Sequence, residues 1–101
     1  MIRALFTDER SWIEATLAQE DSLSDDKKRF YLEQLPHLRV SEECDCGNPK
    51  CRTLRFADYA KGKSIIVAQG VVHENLPEQL TIILFVNKDN DRLCEIETLT
   101  L

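Results

Sequence analysis

The chain predicts an α+β domain in which two N-terminal helices pack on one face of a mainly antiparallel sheet of four to five strands. The main observation is a change of rhythm near Pro36. Before it, apolar residues return every three to four positions; after it, they return every second position. Turn-forming clusters separate the alternating runs, which fits strands joined by loops.

Thr7, followed by Asp8 and Glu9, marks a helix start. Its hydroxyl can accept from an orphan backbone N–H, and the carboxylates favour the positive end of the helix dipole. Trp12, Ile13, Thr16 and Leu17 then share one helical face. Ser24 opens a second helix with Asp25 and Asp26 in its first turn, and Phe30, Tyr31, Gln34 and Leu35 repeat the spacing. Pro36 is expected to close this helix, because the residue before a proline is pushed out of the α region.

Leu38 and Val40 alternate with polar neighbours in a short strand, and Leu54 and Phe56 do the same in a second. Ser64 to His73 is β-branched and apolar on both faces, so a central strand is expected there, with Gly70 as a bulge. In the next strand Leu80, Ile82, Leu84 and Val86 face one way, while Thr81, Ile83, Phe85 and Asn87 face the other. Asn87 to Asp91 links this strand to a last one, Arg92 to Thr98, as a hairpin with a longer loop. Asp89-Asn90-Asp91 echoes the start of a calcium loop, but it lacks the required glycine and terminal glutamate and reads as a turn.

A chain of 101 residues has room for one core, so residues 1–101 are expected to form one domain. Its formal net charge of −5 argues against a duplex-binding protein, although Lys50, Arg52, Arg55, Lys61 and Lys63 cluster around Asp58. The N-terminus brings Asp8 and Glu9 before any long apolar run, and no stretch approaches a membrane span, so a cytoplasmic protein is expected. In that compartment the four cysteines would stay reduced, bind metal or pack as small side chains.

Cys44, Cys46 and Cys51 gather thiols on one loop with Gly47 and Pro49. Tetrahedral zinc needs four ligands, so the fourth would come from Cys94, His73 or His37. The C-x-C-x4-C spacing differs from paired C-x2-C knuckles, and the cofactor expectation is none or zinc. Cys94 alternates with Leu93 and Glu95 and is most simply a buried small side chain. Glu95 and Glu97 share one face of the last strand at roughly 7 Å along the backbone, a spacing that suits acid–base work or binding. No nucleophile elbow, phosphate loop, H-E-x-x-H or nucleotide fingerprint names a reaction.

The segment Val40 to Phe56, with Cys44, Cys46, Gly47, Pro49, Leu54 and Phe56, together with Leu93-Cys94-Glu95-Ile96-Glu97, resembles a group of small bacterial proteins of unknown function. Similar domains occur among integron cassette proteins. Their pattern is a C-G-C-G-C-P type run followed by an L-x-F-like strand and a Glu-rich last strand. Asp45 stands where the group has glycine, and Asn48 where it has a third cysteine. The resemblance implies a compact bacterial α+β domain and supplies no activity.

The expected function is a non-enzymatic protein-binding or accessory module of immunity or cassette type, with a protein partner and an open route to a homodimer. The alternatives are a zinc-stabilised domain, or a small-molecule binder or enzyme using Glu95 and Glu97.

Overall fold

The computed structural model describes residues 2–43, 53–72 and 79–100. Along the chain run β1 (Arg3–Ala4), α1 (Thr7–Gln19), α2 (Asp25–Leu32), a 3₁₀ turn (Leu35–His37), β2 (Arg39–Glu43), β3 (Leu54–Phe56), β4 (Ser64–Val72), β5 (Leu80–Asn87) and β6 (Arg92–Thr100). The strands form one sheet in the order β1-β2-β3-β6-β5-β4, and every described pairing is antiparallel. The sheet therefore has six strands rather than four to five. The added strand is β1, too short at two residues to show any alternation.

Trp12, Ile13, Thr16 and Leu17 of α1 are all buried, as their spacing predicts. Thr7 is not the cap, however. Phe6 occupies that position, and the Glu9 carboxylate accepts from its backbone N–H at 2.8 Å. Glu9 is fully buried because the Arg3 guanidinium grips both of its oxygens, at 2.8 and 2.9 Å. Arg3 also bonds Glu43 and lies over the Phe6 ring, so one guanidinium ties β1, α1 and β2 together.

Ser24 caps α2 as expected, accepting from Lys27 N at 3.2 Å. The helix stops at Leu32, earlier than Pro36 requires; the proline sits inside the following 3₁₀ turn, where its missing N–H costs nothing. Polar bonds hold this region to the β5–β6 turn. The Tyr31 hydroxyl donates to Asp91 Oδ1 at 2.7 Å, and Gln34 Oε1 accepts from Leu93 N at 2.8 Å. Asp91 itself adopts a left-handed backbone, φ 58°, which the tight link from Asn87 demands.

Leu80, Ile82, Leu84 and Val86 supply the helix-side core together with Ala68, Val72, Leu93 and Ile96. Two expectations for β4 fail. Among the described residues the strand is an edge, paired with β5 alone, although its sequence is apolar on both faces. Its irregularity falls between Ile66 and Ala68, so Val67 and not Gly70 is the extra residue. Gly70 has a different task. A Cβ there would lie 2.9 Å from Thr16 Cα and 3.0 Å from Gln19 Oε1, so the missing side chain lets α1 lie directly on the strand.

Gly70→Val is therefore expected to destabilise the domain by about 2 kcal/mol, the usual range for forcing atoms into a filled contact. Urea unfolding measures this directly, and an unchanged midpoint would refute the close approach.

Candidate functional site

Both helices precede the main strands and cover one side of the sheet, which leaves the side chains of the opposite side to be placed by register. Residues paired across antiparallel strands share a face. One row on this open face runs Ile66, Phe85, Glu95, Arg55 and Glu42. The next runs Gln69, Ile83 and Glu97, and a third runs Val71, Thr81 and Leu99.

The acidic pair reaches this face through a bulge. In a regular strand Leu93, Glu95 and Glu97 would all point the same way. The register of β6 against β5 shifts between Phe85 and Val86, so Cys94 is an extra residue. Leu93 consequently stays in the core, while Glu95 and Glu97 turn to the open side. Re-aiming a side chain is a common consequence of such an insertion. The irregularity in β4 lies at the same level, so Phe85 stands between two bulged strands.

Glu95 is buried, and burial pushes its carboxyl above the ordinary range. Its bond from Arg55 Nε, at 3.3 Å, acts in the opposite direction, and the neighbouring Glu97 charge adds to the rise. Arg55 also reaches Glu42 at 3.3 Å and lies 4.3 Å from the centre of the Tyr59 ring. Among the described residues no cation pairs with Glu97.

The apolar part of the face is open to solvent. Ile66 is 53% exposed, Val71 38% and Leu99 48%, and the half-buried Ile83 and Phe85 lie between them. Scattered apolar residues are ordinary on a protein surface, whereas these are neighbours on one face, beside Glu95 and Glu97. The sequence contained a signal for it in the second alternating set of β5, Thr81, Ile83 and Phe85, which no helix among the described residues covers.

The other sequence-predicted residues separate. Cys44, Cys46, Cys51 and His73 lie outside the described residues. His37 is exposed on the 3₁₀ turn. Cys94 is fully buried with Sγ 3.6 Å from Ser64 Oγ, and burial pushes its thiol up. Among the described residues no group of three His, Cys, Asp or Glu side chains is placed to hold a metal ion. The basic cluster is largely engaged: Arg55 binds Glu95 and Glu42, and Lys63 binds Asp89 at 2.7 Å, while Lys50 and Arg52 lie outside the described residues. No helix among the described residues is long and apolar enough to cross a membrane.

No protein-family model matches the chain, and comparison with curated proteins and with solved structures gave no match.

A carboxyl raised by burial and partly restored by one arginine has a clear pH signature. The folded state binds its proton more tightly than the unfolded chain does. Its contribution is therefore full below the ordinary glutamate range and is lost as pH rises through the folded midpoint. In Arg55→Met the Glu95 carboxyl is expected to titrate still higher than in the wild type. Carbon-detected NMR titration of the carboxyl reports it, and a downward or absent shift would contradict the pairing.

Proposed function

We propose that the domain is a non-enzymatic protein-binding module that docks its partner on the open face of the sheet. The observation that carries this reading is the uncovered band of Ile66, Val71, Ile83, Phe85 and Leu99 beside Glu95 and Glu97. The apolar side chains supply the area to be removed from water, at about 25 cal/mol per Å². The charged side supplies orientation.

The chemistry of the face also selects the partner. Arg55 already serves Glu95 and Glu42, whereas Glu97 lies opposite Ile83 with no cation among the described residues. A partner presenting apolar side chains around a lysine or arginine would satisfy it, and the chain's net charge of −5 would speed the approach of such a surface. An accessory or immunity-type role in the cytoplasm is consistent with these features. Acid–base chemistry at Glu95 has less support, because that carboxylate is committed to an arginine.

Cross-linking in the native host, with the cross-links mapped by mass spectrometry, tests this reading. A stoichiometric partner should join through residues of the open face. The Val71→Asp/Leu99→Asp double variant should weaken capture at least roughly tenfold, about 1.4 kcal/mol, since it would bury two unpaired carboxylates against the partner. Glu97→Lys should weaken it as well. Retention of the same partner by the double variant would remove the face from the model, and recovery of no partner would remove the function.

A further inference from the structure

The two helices are secured unequally. α1 buries Glu9, Trp12, Ile13, Thr16 and Leu17, whereas α2 buries Tyr31 alone. The rest of α2 is exposed or half-buried, with Phe30 42% and Leu32 37% open to solvent. A helix of eight residues is also too short to persist in water on its own backbone bonds. Its place in the domain depends on what ties it down.

The ties converge on one carboxylate. The Tyr31 hydroxyl donates to Asp91 Oδ1 at 2.7 Å, and Lys27 Nζ donates to Asp91 Oδ2 at 2.5 Å. Among the described residues these are the hydrogen bonds that join α2 to the sheet and its turns. The Lys27 ammonium also stands 5.4 Å from the centre of the Phe30 ring and 5.8 Å from that of Tyr31. On either side of the helix the chain is fixed more firmly. Leu23 packs against the core before it; after it Leu35 is buried and Gln34 Oε1 accepts from Leu93 N at 2.8 Å. The helix is a span between two anchored points, held closed in the middle by Asp91. That residue has φ 58°, a conformation glycine adopts without strain, so glycine would suit the turn and lack only the carboxylate.

We infer that α2 is a latched flap: it lifts from the β5–β6 turn as one unit while α1 and the sheet stay folded, with the Asp91 carboxylate as the latch. Segments with few buried apolar groups open at free energies below that of the whole domain. Lifting takes Tyr31 out of the core and bares it beside Phe30, whose ring centre lies 5.4 Å away. The open state thus presents an aromatic pair that the closed state withholds.

Hydrogen exchange of the folded domain, followed amide by amide by NMR, tests the flap. The amides from Lys28 to Glu33 should share one protection factor, lower than that of β5 and β6. Asp91→Gly should speed exchange in α2 at least roughly tenfold, the scale of losing two hydrogen bonds to a charged acceptor, and leave β5 and β6 outside the turn unchanged. The Lys27→Met/Tyr31→Phe variant removes both donors without touching the turn, so it should reproduce the effect. Rates graded from the helix ends inward would mean fraying and would overturn the flap. So would α2 amides that exchange as slowly as those of β5 and β6, or a double variant that exchanges like the wild type.

Discussion

The close seat of α1 on β4 at Gly70 determines which surfaces this domain keeps and which it covers. With no Cβ at that position the helix backbone approaches the strand at Thr16. That approach brings Gln19 and Glu20 level with the strand edge, within hydrogen-bond reach of Gln69 and Val71. The same contact buries Trp12, Ile13 and Leu17 against one side of the sheet. The opposite side receives no helix from the described chain, and its apolar side chains stay wet.

The two bulges then decide what that wet side carries. Each inserts one residue at the level of Phe85, and each reverses the facing of the strand beyond it. On β6 the reversal separates Leu93 from Glu95, so a single strand can supply both a core residue and an acidic surface. On β4 it places Ile66 outward while Val67 packs toward the core. The charged corner built by Glu95, Arg55, Tyr59 and Glu42 is thus a product of backbone irregularity as much as of residue identity.

Much of this architecture is legible in the residues. The face of α1, the cap at Ser24, the strands at Leu54 and Leu80, and the turn at Asn87 all follow from local periodicity and turn chemistry, which act over a few positions. Strand order is another matter, because it is set by pairings between distant segments. An apolar strand fits a central position, and it fits an edge whose second face is open, so the sequence of β4 could not distinguish them. The bulge at Cys94 was hidden for a similar reason: Leu93, Cys94 and Glu95 alternate correctly on paper, and only the register with β5 reveals the extra residue. The burial of Glu9 depends on Arg3, six positions away and on another element. Of the predicted acidic site, the shared face of Glu95 and Glu97 was readable, whereas the arginine that engages one of them was not.

The unequal ends of the sheet have a bearing on polymerisation. Filaments grow when both borders of a sheet accept newcomers. Here one border is β1, a mere two residues whose Arg3 is already committed to Glu9 and Glu43. At the other border the amide of Gln19 already bonds both outward backbone groups of Val71, so that position offers nothing to a further strand. Borders whose backbone groups are bonded by side chains, or that are only two residues long, work against the edge-to-edge growth of fibres.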